Sequence, residues 1–334
     1  MSKLKMVSTF SGVGFQERGV QLAGYDVEVV GTCELDKDAI ISYAAIHNGL
    51  TMDMIENYDY PSREDMANDL IALNIGYDFK KQKPFDWMKM ARGKSLDLNK
   101  TWLACKLNKN FGDICKVNVF PKCDLFTFSF PCQDLSVAGA QRGIIKGKTR
   151  SGLVYEVLRV LGNMKEEGNL PRFLLMENVD ALTNKKNKPM FDLLNEEFEE
   201  LGYDVYYDVL NTKNCSYPDV PTPQNRNRCF GMYIRKDIDK HNFEFPKPFD
   251  CGIRLKDIMF DDVDDKYYIR NAKAQELIDK LIETGEVPSE RGGCDLSINE
   301  PKLRDISNCI AARHDRGISN HRQEGTCVVE KQIS

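Results

Sequence analysis

One of the eleven cysteines, Cys132, stands in a local sequence that suits nucleophilic chemistry. Residues Asp124 to Phe128 are largely apolar, aromatic and β-branched, which predicts a short buried strand. Phe130-Pro131 ends this strand, because proline cannot donate to the ladder and restricts the residue before it. The thiol is therefore expected at the carboxyl end of a strand, where open α/β sheets bind ligands. Such a thiol could form a covalent intermediate, or it could be an inert, buried cysteine.

Polar side chains at other predicted strand ends could complete an active site. Residues Phe173 to Glu177 predict a second buried strand, which Glu177-Asn178-Val179 closes. A glutamate there is a catalytic acid only if another group pairs with it; otherwise it is a surface residue or a helix cap. Gln224, Arg226 and Arg228 alternate along an extended segment, so they share one face and need acceptors there, either carboxylates or a ligand.

The N-terminal part of the chain predicts a strand, a glycine-containing loop, a helix and a second strand. The strands are Leu4–Phe10 and Asp26–Cys33, the loop is Phe10-Ser-Gly-Val-Gly-Phe15, and Glu34 follows the second strand. Glycines let the backbone approach a nucleoside, and the carboxylate can accept hydrogen bonds from a ribose diol. The fingerprint is incomplete, because Phe15 follows the second glycine, so a plain tight turn remains the alternative.

Length and composition favour a soluble globular protein with one large α/β domain and a smaller second one. No run of about 18 apolar residues predicts a membrane span, and the N-terminal residues do not resemble a signal peptide, so we expect a cytoplasmic protein. The cysteines are odd in number and include no Cys-x-x-Cys pair, which argues against disulfides and against a metal site. With a net charge of −5, binding to nucleic acid would need local basic patches.

Changes in composition along the chain predict its domains. Residues from about 49 to 110 are charged, contain both tryptophans and predict a mostly helical insertion. Gly112-Asp113-Ile114 follows, and Asp113 could bind an adenine amino group or cap the next turn. Charge and proline content rise near Lys236 to Asp250, so we place one domain at 1–235 and a small one at 236–334.

Taken together, these segments resemble the DNA cytosine-5 methyltransferases over about residues 4 to 235. Six motifs occur in that family's order: Phe10-x-Gly12-x-Gly14, Gly112-Asp113-Ile114, Phe130-Pro131-Cys132-Gln133, Arg150-Ser-Gly152-Leu153, Glu177-Asn178-Val179 and Gln224-x-Arg226-x-Arg228. The stretches FSFPCQDLSVAGAQRG and TRSGLVYE are particularly similar to bacterial and mycoplasma CpG-type members and to phage-borne ones. The family's final GNA/GNS-type motif is not found, so a second chain could be the partner that supplies it.

The resemblance implies a Rossmann-like, S-adenosylmethionine-dependent methyltransferase fold with a small C-terminal target-recognition region. It implies that S-adenosylmethionine is bound by Phe10, Gly12, Gly14, Glu34, Leu35, Asp113, Ile114, Pro131 and Leu153. Leu35 stands where many relatives have a tryptophan that stacks on the cofactor, so we expect aliphatic packing here. Phe15 replaces a glycine that is often found in the first loop.

The resemblance also implies covalent catalysis on a cytosine that has been flipped out of a duplex. The implied catalytic residues are Cys132, Gln133, Glu177, Asn178, Arg226 and Arg228. Cys132 would add to C6, Glu177 would hold N3 and the exocyclic amine, and Arg228 would contact O2. Arg226 would steady the loop or a phosphate, and Asn178 would brace the Pro-Cys turn.

Double-stranded DNA is the implied partner. The side chains expected to contact it are Ser136, Arg142, Lys148 and Arg150, after the catalytic motif, and Arg313 and Arg316, in a segment rich in Arg and His. A solvated polar tail is the alternative for that last segment. The role implied is restriction–modification, with a cognate endonuclease, or phage self-protection. A tRNA cytosine-5 methyltransferase and a catalytically weak DNA-binding remnant remain alternative functions.

Overall fold

The computed structural model describes residues 3–78, 83–132, 144, 151–215, 222–286, 288, 291–309, 317–318, 320 and 325–330. The helices are α1 (Phe15–Leu22), α2 (Lys37–His47), α3 (Met52–Asn57), α4 (Arg63–Ala72), α5 (Trp87–Ala91), α6 (Asp97–Leu107), α7 (Val154–Glu166), α8 (Lys188–Leu201) and α9 (Ala272–Thr284). The strands are β1 (Leu4–Thr9), β2 (Val27–Cys33), β3 (Tyr77–Asp78), β4 (Lys83–Pro84), β5 (Leu125–Phe128), β6 (Phe173–Val179), β7 (Tyr203–Asn211), β8 (Gln224–Asn225), β9 (Asn227–Arg235), β10 (Arg291–Asp295), β11 (Leu303–Arg304), β12 (Ser307–Asn308) and β13 (Thr326–Glu330).

The central element is a six-stranded sheet with the order β2-β1-β5-β6-β9-β7. Strand β1 pairs in parallel with β2 and with β5, and β5 pairs in parallel with β6. All four residues of β5 are buried, as expected for a parallel strand covered on both faces. Parallel strands joined through helices confirm the predicted α/β, Rossmann-like fold class.

Helices α7 and α8 cover this sheet with apolar faces of helical period. On α7 the buried residues are Val154, Val157, Val160, Leu161 and Met164, and on α8 they include Phe191, Leu194 and Phe198. Their side chains form one core with residues of β5, including Phe128, whose ring stacks on that of Phe198 at a centroid distance of 5.6 Å. This packing holds β5, and hence the segment that follows it, in a fixed position.

The predicted helical insertion contains α3 to α6, which share a second core with α2. Both of its tryptophans are buried in that core, and each donates a hydrogen bond from its indole nitrogen. Trp87 donates to the Ile75 carbonyl at 2.8 Å, and Trp102 donates to the Asp69 carboxylate at 2.8 Å. The insertion therefore has its own apolar core, with charged residues on its outer face.

The chain divides into two compact units. Unit 1 comprises Met1–Asp208 and Cys229–Phe243 and contains the helices α1 to α8; unit 2 comprises Val209–Arg228 and Glu244–Ser334. Unit 2 has a three-stranded sheet, β11-β10-β13, on which α9 packs through Leu277 and Leu281. Residues 209–228 thus group with unit 2, whereas the sequence predicts them in the first domain, 1–235. The functions of 1–235 and 236–334 stay predictions.

No helix within the described residues is both long enough and apolar enough to cross a membrane.

Candidate active site

Four strand ends of unit 1 meet at one edge of the central sheet. In the strand registers Thr9 pairs with Cys33 and with Phe128, and Phe128 pairs with Met176. Because these strands are parallel, the segments that follow β1, β2 and β5, and the end of β6, lie at the same edge. The glycine loop, Glu34, Cys132 and Glu177 are carried by these four segments, so the structure brings these four groups to the same edge of the sheet.

The glycine loop after β1 has a left-handed backbone conformation at three residues. Phe10, Gly12 and Gly14 all have positive φ, of 53°, 52° and 84° respectively. Glycine adopts such angles without strain, whereas Phe10 adopts an unusual conformation for a residue with a side chain. A Cβ atom added to Gly12 would meet no atom within 4 Å, so open space borders the loop there. That space is available to a ligand that approaches the backbone.

Glu34 ties the end of β2 to this loop. Its Oε2 accepts a hydrogen bond from the Gly12 backbone N–H at 2.9 Å. Its Oε1 accepts from the backbone N–H groups of Leu35, at 2.8 Å, and Asp36, at 2.9 Å. Since each carboxylate oxygen has two lone pairs, these three bonds leave one lone pair on Oε2, which can still accept a hydrogen bond from a ligand's hydroxyl. Leu35 is half-buried and packs against the core of the insertion.

Asn110 links the Glu34 segment to Gly112, and sequence reasoning missed it. Its side-chain oxygen accepts from the backbone N–H groups of Glu34 and Gly112, both at 3.1 Å, and its Nδ2 donates to the Glu34 carbonyl at 3.0 Å. Gly112 has φ 72°, and an added Cβ would lie 2.1 Å from the Leu73 carbonyl oxygen, so a side chain cannot be accommodated there. No local sequence pattern signals the contacts with Glu34, because they join residues 76 positions apart.

The side chains of Asp113 and Ile114 have structural partners. Asp113 Oδ1 accepts from the Cys115 backbone N–H at 3.0 Å, and Oδ2 accepts from Asn74 Nδ2 at 2.9 Å. This is the turn-capping arrangement that the sequence had left open, and a contact with adenine stays a prediction. The Ile114 side chain is 3% exposed and belongs to the main core. Any contact of Ile114 with a ligand would therefore involve its backbone or a small edge of the side chain.

Two hydrogen bonds hold the Pro-Cys turn. Asn178 Nδ2 donates to the Phe130 carbonyl at 3.0 Å, which confirms that Asn178 braces the turn. The hydroxyl of Ser151 donates to the Pro131 carbonyl at 2.7 Å, and sequence reasoning had not singled out this serine. Cys132 and Pro131 are half-buried, as is Leu153 in the same region of the chain. With both preceding carbonyls bonded, the backbone that carries the Cys132 thiol is fixed from two sides.

Glu177 lies near the end of β6 and alternates with buried neighbours. Met176 and Asn178 are fully buried, whereas Glu177 is half-buried on the opposite face of the strand. One face of the strand thus anchors it to the core and to the Phe130 carbonyl, and the other presents a carboxyl group. This placement at the edge that carries Cys132 is what an acid acting on the same substrate requires.

The arginines of the Gln224-x-Arg226-x-Arg228 segment belong to unit 2. Gln224, Arg226 and Arg228 are half-buried while Asn225 and Asn227 are exposed, which confirms the predicted alternation. Arg226 donates from Nη1 to Cys309 Sγ at 3.2 Å, and Arg228 donates to the Asn227 carbonyl at 2.7 Å. Their roles toward a substrate stay predictions.

Seven predicted site residues lie outside the described residues: Gln133, Ser136, Arg142, Lys148, Arg150, Arg313 and Arg316. Arg304, in the same arginine-rich part of the chain as the last two, is described. It forms two hydrogen bonds with Asp295, at 2.8 and 2.6 Å, which occupy its guanidinium within unit 2.

Comparison with known proteins gives one family and several relatives. The model of the C-5 cytosine-specific DNA methylase family matches residues 91–323. The type II methyltransferase M2.ScrFI of Lactococcus lactis subsp. cremoris is 35% identical over 272 residues, which are 80% of this chain and 71% of that protein. The orphan methyltransferase M.SssI of Spiroplasma monobiae is 36% identical over 235 residues, covering 68% of this chain and 58% of that protein.

A phage protein is also similar to this chain. The orphan methyltransferase M.Rho11sI of Bacillus phage rho11s is 28% identical over 321 residues, which cover 87% of this chain and 50% of that protein. The alignments thus cover between half and about seven tenths of the length of these three relatives.

Proposed function

Because the chain belongs to the C-5 cytosine-specific DNA methylase family, we propose that it transfers a methyl group from S-adenosylmethionine to C5 of cytosine in double-stranded DNA. The observation that carries the proposal is the parallel register of β2, β1, β5 and β6. This register supports the proposal, because the candidate cofactor loop, a half-buried cysteine and a half-buried glutamate belong to strands that end at the same edge. A nucleoside site, a nucleophile and an acid at one edge are the groups that this reaction needs.

The residues at this edge fit S-adenosylmethionine. The loop borders open space at Gly12, and the Glu34 carboxylate beside it can accept a hydrogen bond from a ribose hydroxyl at Oε2. Leu35 offers an aliphatic side chain where the adenine of a bound nucleoside would need apolar cover. When bound, the cofactor supplies an electrophilic methyl group on its sulfonium sulfur.

The chain's own residues make the cytosine reactive. C5 of cytosine is a weak nucleophile. Addition of the Cys132 thiolate to C6 makes C5 an enamine-like carbon that can accept the methyl group. Glu177 holds a proton at N3 as negative charge develops on the ring. After methylation, a base removes the C5 proton, the C5–C6 double bond re-forms and the bond between C6 and the Cys132 sulfur breaks. The Cys132 thiolate is regenerated, and the N3 proton returns to Glu177. The base must be extruded from the duplex, because C6 is inaccessible in a stacked helix.

We also propose that residues 236–334 select the DNA sequence and that the chain serves in restriction–modification or phage self-protection. The catalytic residues predicted from sequence all precede this region, and Arg313 and Arg316 are the side chain types that read guanine edges. Because Arg304 is already bound to Asp295, it is a poorer candidate for base contacts.

Bisulfite sequencing of plasmid DNA from cells that express the chain tests the proposed activity. We expect unconverted cytosines in one fixed sequence context, since a family member with an intact Cys132 and Glu177 should modify the DNA around it. RNA from the same cells, treated in parallel, separates the two substrate classes. Fully converted DNA together with protected positions in tRNA would overturn the DNA assignment and favour the tRNA-directed branch.

Replacing Glu34 with alanine should weaken S-adenosylmethionine binding more than DNA binding. Loss of one charge-assisted hydrogen bond to the ribose costs about 1.5–3 kcal/mol, which is roughly 10- to 150-fold in Kd. Isothermal titration calorimetry measures the cofactor constant, and a mobility shift assay measures the DNA constant. The matched control is Asp38→Ala, which removes a carboxylate that is 77% exposed and paired with Lys37. Equal cofactor constants in Glu34→Ala and the parent would place the ribose elsewhere.

A further inference from the structure

A buried cluster of titratable side chains lies beneath the glycine loop. It consists of Glu17 on α1 and of Tyr43 and His47 on α2, one turn apart. Glu17 is 6% exposed, and the side chain of His47 is 3% exposed. The Tyr43 hydroxyl donates to Glu17 Oε2, and His47 Nδ1 lies 3.7 Å from Glu17 Oε1. Burial of a carboxyl group and an imidazole costs free energy of folding unless both are hydrogen-bonded, so the contacts of this cluster are informative about its role.

The imidazole of His47 reaches the loop itself. His47 Nε2 lies 3.1 Å from the Val13 carbonyl oxygen, and because a carbonyl only accepts, Nε2 must carry the hydrogen. Val13 stands between Gly12, whose N–H is held by Glu34, and Gly14. A Cβ added to Gly14 would lie 2.3 Å from His47 Nε2, so the loop rests directly on the ring. The loop is therefore held from one side by Glu34 and from below by His47.

The imidazole of His47 faces Val13 through Nε2 and Glu17 through Nδ1, and each contact is favourable only with one hydrogen between the two atoms. With Nε2–H donated to Val13, neutral His47 presents a lone pair at Nδ1 to the Glu17 carboxyl, and a proton on Glu17 makes that approach favourable. If Glu17 loses its proton, the carboxylate favours the tautomer with hydrogen on Nδ1, which leaves Nε2 without a hydrogen for the Val13 carbonyl. Deprotonation of Glu17 therefore opposes the contact that holds the loop.

The environment of Glu17 favours its protonated form up to about pH 7. Burial raises the pKa of Glu17 from its ordinary value of 4.5 to about 7. Burial also lowers the pKa of His47; the hydrogen bond with the Val13 carbonyl acts in the opposite direction, and the charge of Arg18 on α1 lowers it again. In the part of the chain that the structure describes, Tyr43 and Arg18 are the other titratable groups recorded as facing the pair. Since the pKa of Glu17 is raised in the folded state, the stabilisation that protonated Glu17 gives to the folded loop and its His47–Val13 contact is present at low pH. It is lost as the pH rises through about 7.

We propose that His47 is a positioning residue that holds the Ser11–Gly14 loop in its cofactor-binding conformation through the Val13 carbonyl, and that Glu17 and Tyr43 fix its tautomer. The role of His47 depends on the proposed function, because it requires the loop to bind S-adenosylmethionine. None of the three side chains needs to touch the cofactor. Their effect reaches it through one backbone carbonyl, so it should appear in cofactor affinity and in KM for the cofactor before it appears in kcat.

Calorimetry of S-adenosylmethionine binding at about pH 6.5 and about pH 8.5 tests this role, with the full chain and four variants. His47→Leu removes the donor to Val13 and should weaken binding roughly 3- to 10-fold at the lower pH, as expected for loss of one hydrogen bond. His47→Gln keeps a side-chain N–H donor and should recover most of that loss. His241→Leu is the control, since His241 is 72% exposed in the same unit and should leave the Kd unchanged.

The fourth variant, Glu17→Gln, isolates the proton. Its amide is neutral at every pH, and like protonated Glu17 it can donate to Nδ1 and accept from Tyr43. Binding by the parent should weaken by roughly threefold or more from pH 6.5 to 8.5 beyond any change seen in Glu17→Gln, because titration of the ligand affects both proteins equally. Circular dichroism establishes that each variant is folded.

Two results overturn the role of His47 while leaving the proposed function intact. One is a folded His47→Leu variant that binds within twofold of the parent; the other is an identical pH profile for the parent and Glu17→Gln. A folded parent chain that binds no S-adenosylmethionine at either pH would instead overturn the proposed function, and the role of His47 with it.

Discussion

Replacement of Cys132 by serine should abolish methyl transfer, with a loss in kcat on the order of 10³-fold or more, as is typical when a covalent nucleophile is removed. The thiolate is the reacting species, and a serine hydroxyl is almost fully protonated at neutral pH and far less nucleophilic. The change exchanges one small side chain for another on a turn held by Asn178 and Ser151, so the fold and the Kd for S-adenosylmethionine should change little. Transfer of radiolabelled methyl groups to DNA in single-turnover assays measures the effect.

Trapping with 5-fluorocytosine distinguishes loss of the nucleophile from a general loss of activity. Fluorine cannot leave as a cation, so the parent chain should remain covalently attached to duplex DNA that carries this base at the target. Cys132→Ser should form no adduct. Cys115→Ser is the matched control, because it makes the same substitution at an exposed cysteine, and it should be trapped like the parent. Activity of Cys132→Ser within tenfold of the parent, or a peptide map with the adduct on another cysteine, would contradict the covalent mechanism.

The strands that carry the site could be predicted from sequence because their signal is local. The predicted strand at Phe173–Glu177 is observed as Phe173–Val179, and the one at Asp26–Cys33 as Val27–Cys33. Short runs rich in apolar and β-branched residues predict strands, and the turn residues that bound them are equally local. The amphipathic spacing from Phe191 to Leu201 also predicts a helix, and the observed α8 begins three residues earlier, at Lys188, with Pro189 in its first turn, where proline is tolerated.

The contacts that shape the site could not be predicted, because each joins residues far apart in the chain. Asn110 reaches back to Glu34, and Ser151 reaches back 20 residues to Pro131. His47 reaches the Val13 carbonyl across 34 positions. Such side-chain to backbone bonds depend on strand register and on helix placement, and an isolated Asn, Ser or His gives no sign of them. Prediction from motifs therefore indicated the candidate reactive groups at the sheet edge and the brace by Asn178. It missed Asn110, Ser151 and His47, whose side chains hold the backbone around them.

Replacement of Glu177 by glutamine should lower kcat by roughly 10² to 10⁴-fold, the range expected for loss of a positioned acid, while the Kd for S-adenosylmethionine stays within about twofold. Glutamine keeps the shape of the side chain and can still form hydrogen bonds with the pyrimidine, but it cannot share a proton with N3 as charge builds on the ring. The fold should be unaffected, because Glu177 is half-buried and the anchoring contacts of β6 are made by Met176 and Asn178. Asp180→Asn is the control, since it neutralises an exposed carboxylate three residues further along the same segment and should retain the parent's rate. Single-turnover methylation of a duplex with saturating cofactor separates the chemical step from binding, and a Glu177→Gln rate within tenfold of the parent would remove Glu177 from the catalytic set.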